Sequence, residues 1–184
     1  DTGNFGKPIG MPIAAGNLFI GSFDVQNAIQ HPLQATLFGF PFTKKPVRMT
    51  GYYKYKAGET FTDENKEEVS KSDMGDIYAA LYESFTGDYS LNGNLFPQDG
   101  PIDGHIVSLA RIGQDGNPTM AETDQWTRFE LSFEPQNGKT IDEERLRNGE
   151  YKLAIVFTSS IEGAYFRGAV GSELYVDEVE IVCE

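Results

Sequence analysis

The chain has 184 residues, enough for one domain with a substantial core. Its 28 acidic residues against 15 Lys and Arg give a net charge of −13, which repels phosphate backbones and anionic lipid and argues against nucleic acid and membrane surfaces as partners. The single cysteine, Cys183, excludes an intrachain disulfide and a cysteine-built metal site, and no apolar run approaches the roughly 18 residues that a membrane span needs.

Residues 1–11 are rich in Gly and Pro and are predicted to be irregular; the opening at Asp1, with no leader pattern, fits a mature form or a piece of a longer chain. A first strand is predicted around Asn17–Phe23. The stretch from His31 to Pro46 holds Pro32, Pro41 and Pro46 and reads as a loop or broken strand. Val47–Lys56 alternates, with Tyr52, Lys54 and Lys56 on one face and Tyr53 and Tyr55 on the other. A polar loop follows, to Gly75. In the strand Ile77–Glu83, Ile77, Ala79 and Leu81 form the aliphatic side expected to face the core, which leaves Tyr78 and Tyr82 for an exposed face.

Phe85–Gly104 is a long loop dense in Gly, Asn and Asp, and His105–Ile112 is a strand. In Trp126–Phe133 the residues Phe129, Leu131 and Phe133 should point inward and Arg128, Glu130 and Ser132 outward. One short helix is predicted over Ile141–Asn148, closed by Gly149. Tyr151–Phe157 alternates again. The closing strand, Gly171–Val182, carries Tyr175, Asp177, Val179, Ile181 and Cys183 on its more apolar face. Taking that face as the inner one places the Asp177 carboxylate in the interior, where it must be paired, hydrogen-bonded or bound to a cation.

Roughly seven to nine strands with almost no helix, and no strand–helix alternation, indicate an all-β chain: an antiparallel β-sandwich, with a jelly roll as the best fit, forming a single domain over 1–184. No internal repeat or low-complexity segment interrupts it.

Six segments taken together resemble a known family: Ala15-Gly-Asn-Leu-Phe-Ile-Gly-Ser-Phe-Asp24, Gly51-Tyr-Tyr-Lys-Tyr-Lys56, Asp76-Ile-Tyr-Ala-Ala-Leu-Tyr-Glu83, Glu122-Thr-Asp-Gln-Trp-Thr-Arg-Phe129, Tyr151-Lys-Leu-Ala-Ile-Val-Phe-Thr-Ser-Ser160 and Gly168-Ala-Val-Gly-Ser-Glu-Leu-Tyr-Val-Asp177. The set is similar to the putative carbohydrate metabolism domain found at the C-termini of surface and secreted proteins of Bacteroides-type bacteria, and the similarity runs from about Ala15 onward. It implies a jelly roll like those of carbohydrate-binding modules, an extracellular or cell-envelope location, and a larger parent chain with other domains upstream. It brings no catalytic residues to this sequence.

Jelly-roll carbohydrate-binding modules often hold a structural calcium where the first and last strands meet, and their final strand has a similar Val-Asp-x-Val pattern. That resemblance makes Asp177, with Asp24 as a second carboxylate, the candidate metal ligands and calcium the candidate cofactor. The alternative is that Asp177 accepts loop amides or pairs with Arg167. For sugar binding, the candidates are Tyr52, Tyr78, Tyr82 and Trp126 as stacking rings and Arg128 as a hydroxyl partner; the alternatives are tyrosines filling the core and Trp126 capping its end. Glycoside hydrolysis would need two carboxylates at about 5–5.5 or 6.5–9.5 Å. Glu83, Glu130 and Glu162 lie in or beside predicted strands and are the ones to inspect; the alternative for each is a solvated surface acid.

His31 and His105 lack metal-ligand spacing, and Cys183 falls on the face taken as inner and reads as a small buried hydrophobe. The expected function is recognition of a glycan or polysaccharide without catalysis. A glycoside hydrolase-like enzyme on the same fold and a structural or adhesive module without ligand are the alternatives.

Overall fold

A computed structural model describes residues 2, 11, 13–26, 28, 30–31, 34–85, 89–93, 95–114 and 116–184. Most of the 1–11 segment therefore lies outside the described residues. In chain order the strands are β1 (Asn17–Phe19), β2 (Gly21–Phe23), β3 (Thr36–Phe38), β4 (Phe40–Pro41), β5 (Pro46–Lys56), β6 (Phe61–Thr62), β7 (Asp76–Glu83), β8 (Ile106–Arg111), β9 (Thr123–Ser132), β10 (Glu134–Pro135), β11 (Tyr151–Thr158), β12 (Gly168–Ala169) and β13 (Glu173–Cys183), with helix α1 (Glu143–Arg147) between β10 and β11.

All pairings between these strands are antiparallel, and two sheets carry the sandwich. The larger runs β1-β11-β7-β8-β10, with β4 also on β11; the smaller runs β13-β5-β9. The chain passes from β5 to the larger sheet for β7 and β8, back for β9, over again for β11 and back for β13. The orders 1-11-7-8 and 13-5-9 are those of a jelly roll with β13 left as an edge strand. The predicted first strand is divided at Ile20, so β1 joins β11 while β2 turns away to pair with β3.

Alternation decides the layer between the sheets. β5 buries Met49, Gly51, Tyr53 and Tyr55 and turns Arg48, Tyr52, Lys54 and Lys56 outward. These inner residues pack with Ile77, Ala79 and Leu81 of β7, Phe129 and Leu131 of β9, and Tyr151, Leu153 and Phe157 of β11. Each fully buried large apolar side chain contributes about 1.5–3 kcal/mol, so this layer is the main driving force of the fold. α1 is too short to persist alone. Asp142 caps it by accepting from the Glu144 and Arg145 amides at 2.9 and 3.1 Å, Leu146 is buried, and Gly149 follows with φ 73°.

The larger sheet is covered on its other side as well. Phe38, Leu91 and Leu95 pack on Tyr78, Ala80, Tyr82, Ala154 and Val156 to form a second cluster. β7 is consequently buried from Asp76 through Tyr82, which corrects the expectation that its tyrosine face is open: Tyr78 and Tyr82 lie under the loop layer.

β13 corrects a second expectation. Its inner residues are Leu174, Val176 and Ile181, while Tyr175, Asp177 and Val179 are exposed. A β-bulge lies between Asp177 and Glu180, with Glu178 at φ 49°, and it shifts which residues face inward by one position. Counting by twos through the bulge mixes the two faces. Cys183, expected to be buried, is half-buried, and desolvation pushes its thiol upward.

Candidate functional site: the outer face of the smaller sheet

Three of the five sequence-predicted sugar-binding residues come together on the solvent side of β13-β5-β9. Tyr52 pairs across to Arg128 on β9 and to Asp177 on β13. In the neighbouring row Lys54 pairs with Tyr175, and its Nζ lies 4.8 Å from the centroid of the Trp126 ring. The face is therefore two rows, Tyr175–Lys54–Trp126 and Asp177–Tyr52–Arg128. Each row crosses two strand spacings, roughly 10 Å.

Trp126 is 47% exposed and Tyr175 53% exposed. Trp126 stands on the face opposite Phe129 and is held from the side by Lys54 in a cation–π contact, so it does not cap the core. Tyr175 Oη donates to Glu173 Oε2 at 3.1 Å, and this bond to a carboxylate raises the phenol's pKa, keeping it a donor. A third row consists of Glu180, Thr50 and Glu130, in which Glu130 binds Arg128 at 2.8 Å and Arg48 at 3.4 Å. Tyr175 is the residue the sequence reading missed here, because counting by twos through the bulge put it on the face taken as inner.

Tyr78 and Tyr82 belong to the other sheet. Tyr82 Oη is bound to the Phe38 carbonyl and its ring packs edge-on to Tyr89, so it has a structural role. The two candidate metal ligands do not meet. Asp24 follows β2 on the far side of the larger sheet and accepts from the Gln26 amide at 3.0 Å; Asp177 is on the outside of the smaller sheet and accepts from the Glu178 amide at 2.8 Å. As arranged, this pair does not form a calcium site, and the described residues contain no group of three or more His, Cys, Asp or Glu suited to holding a metal. Arg167 pairs with Glu64 at 2.6 Å and with Glu162 at 3.9 Å, not with Asp177.

The buried carboxylate that ties the closing strand in place is Asp73. Its Oδ1 accepts from Ser160 Oγ at 2.8 Å and the Met74 amide at 2.9 Å; its Oδ2 accepts from Ser172 Oγ at 2.7 Å and the Ala169 amide at 2.8 Å.

The three glutamates singled out for acid–base chemistry are all engaged by cations. Glu83 pairs with Lys139, Glu130 with Arg48 and Arg128, and Glu162 with Lys71 and Arg167. His105 Nδ1 lies 2.9 Å from Asp103 and its ring stacks on Tyr89, so it orders a loop. What the outer face offers chemically is flat aromatic surface beside charged hydrogen-bonding groups.

The solved structures and the family model agree with one another. A crystal structure described as a putative glycoside hydrolase from Bacteroides thetaiotaomicron VPI-5482 is 50% identical with a TM-score of 0.89, covering 100% of this chain and 51% of that one. A second, described in the same words and from Bacteroides vulgatus ATCC 8482, is 43% identical with a TM-score of 0.86, covering 99% of this chain and 69% of that one. The chain thus spans about half the length of the first of these relatives. No curated protein matches it. The family model for the putative carbohydrate metabolism domain matches residues 1–182. On that match and those identities, the chain belongs to the putative carbohydrate metabolism domain family.

Proposed function

We propose that this domain recognises a neutral glycan on the outer face of the β13-β5-β9 sheet. The observation that carries the reading is the shared exposure of Trp126 and Tyr175 in one row, with Tyr52 in the next. Large aromatic rings left in water on a face rimmed by polar groups mark an interaction surface. Pyranose rings present C–H faces that stack on such rings, and Arg128, Lys54 and Asp177 supply donors and acceptors for hydroxyls. The net charge of −13 disfavours polyanionic polysaccharides. The location that goes with this role is the cell surface or the extracellular space, in a longer parent chain whose other domains supply any catalysis. The engagement of Glu83, Glu130 and Glu162 by Lys and Arg supports binding over hydrolysis.

Affinity electrophoresis and calorimetry against neutral polysaccharides (arabinoxylan, glucomannan, laminarin) test this. Binding to at least one is expected, falling about tenfold or more in Trp126→Ala and in Tyr175→Ala while the melting temperature stays within about 2 °C. Absence of binding across the panel, or binding unchanged in both variants, overturns the reading. Release of reducing sugar by the wild-type chain would replace it with the hydrolase alternative.

A further inference from the structure

On the opposite side of the molecule, the loop layer over the larger sheet forms an open-mouthed cavity of about 470 Å³. Its floor is Asp76 and Tyr78 of β7 and Arg111 of β8, and the aromatic side chains of Phe38, Phe96 and Tyr165 are among its walls. This is the size and character of a small-molecule pocket: apolar and aromatic lining with a few convergent polar groups.

The polar groups have a specific arrangement. Arg111 Nε donates to Asp76 Oδ1 and Oδ2 at 3.1 and 3.0 Å, and Nη2 lies 2.8 Å from Oδ2. The guanidinium also lies over the Phe96 ring, its central carbon 3.8 Å from the ring centroid. Its Nη1 amino group has no partner among the described residues. Tyr78 pairs across from Arg111 and packs edge-on to Phe96 with centroids 5.0 Å apart.

The Tyr78 hydroxyl is the exception among the buried tyrosines. Tyr53, Tyr55, Tyr82 and Tyr151 each use their oxygen in a hydrogen bond within the protein. Tyr78, 4% exposed, has none among the described residues. Among the described residues, the one buried side-chain oxygen or nitrogen both sealed and unpartnered is Gln114 Oε1, so the Tyr78 hydroxyl opens onto the cavity. A donor that opens onto the cavity with no protein partner is free to bond an acceptor on a ligand.

We propose that this cavity binds a neutral ligand with an apolar ring body and one carbonyl-type oxygen, the oxygen accepting from the Tyr78 hydroxyl and Arg111 Nη1. Asp76 already neutralises Arg111 at contact distance, so an anionic head would meet its carboxylate. Burial and the neighbouring Asp76 push the Tyr78 phenol upward, which keeps it protonated and a donor. A free monosaccharide is a poor occupant, because most of its hydroxyls would lie against apolar walls without partners. The site is separate from the glycan face, and its test does not depend on that reading.

The probe is benzamide, titrated into the 184-residue chain and followed by amide NMR, with benzoate and methyl α-glucoside as contrasts. Benzamide should saturate shifts at residues 76–78, 111 and 165 with a dissociation constant in roughly the millimolar range. Benzoate should bind about tenfold more weakly, and Tyr78→Phe, which keeps the ring and its packing, should weaken benzamide about tenfold. Non-saturating shifts, benzoate or the glucoside binding as tightly as benzamide, or unchanged binding in a Tyr78→Phe variant with wild-type melting would each overturn the proposal.

Discussion

Ser172 donates its hydroxyl to Asp73 Oδ2 at 2.7 Å, joining the entry of the closing strand to a residue 99 positions earlier. Ser160 and Ala169 converge on the same carboxylate, so one buried side chain joins the segment after β11, the end of β12 and the approach to β13. Hydrogen bonds to a charged acceptor are about twice as strong as neutral ones, and removing the acceptor orphans every donor. Asp73→Ala is therefore expected to cost about 3–5 kcal/mol and to lower the melting temperature by about 10 °C or more, read by thermal denaturation. A loss under about 1 kcal/mol would mean that water replaces the carboxylate at little cost.

The sequence reading puts a buried carboxylate at Asp177, whereas in the structure Asp177 is exposed and the carboxylate bonded to Ser172 is Asp73. Asp177 was placed inside by counting alternate residues toward Ile181 and Cys183, and the bulge at Glu178 invalidates that count. Nothing in a polar run such as Lys71-Ser72-Asp73 marks a residue that becomes buried through contacts about 90 positions away. Alternation did find part of the layer between the sheets, since Ile77, Ala79, Leu81, Phe129 and Leu131, expected to face inward, do so. It could not tell that Tyr78 and Tyr82 are roofed, because a two-residue period describes one sheet and not what a distant loop lays over it. On the candidate site, Tyr52 and Arg128 were legible as outward residues of clean strands, whereas Tyr175 was lost to the same miscounted face.

Gly51 tests how tightly the bulge fits the core. A Cβ there would come within 2.7 and 2.9 Å of the Phe129 ring and 3.1 Å of the Asp177 carbonyl. Gly51→Ala should cost about 1–3 kcal/mol by overpacking, although Ala favours a strand more than Gly does. Chemical denaturation should show a lower midpoint with unchanged slope. A neutral outcome would mean that Phe129 can shift without loss.

Asp103 supplies a pH dependence. Burial raises its pKa, but hydrogen bonds from the Tyr89 hydroxyl and from the His105 amide and ring outweigh burial and leave it below the ordinary value of 3.8. A carboxylate depressed in the folded state contributes stability above its unfolded pKa and loses it as pH falls through the folded one. Asp103→Asn is expected to lower stability at neutral pH by about 1 kcal/mol and to flatten the acid limb below pH 4, where the wild type loses this contribution. Parallel curves for the two proteins between pH 5 and pH 2 would remove Asp103 from the acid transition.

Glu178 carries the opposite sign. It is an exposed residue at φ 49°, a conformation that costs a residue with a Cβ about 1 kcal/mol, and it sits among Asp177 and Glu180 on a chain of net charge −13. Glycine adopts this backbone freely but gains entropy in the unfolded chain, which offsets roughly half of the benefit. Glu178→Gly should therefore raise stability by about 0.5 kcal/mol, and Glu178→Val, whose branched Cβ tolerates positive φ poorly, should lower it by about 1 kcal/mol. The ordering Gly above Glu above Val in denaturation midpoints is the signature of a retained bulge. If Val instead matched or exceeded Glu, the strand would have straightened, and the alternation through Asp177 would continue unbroken to Ile181, turning Asp177 toward the core.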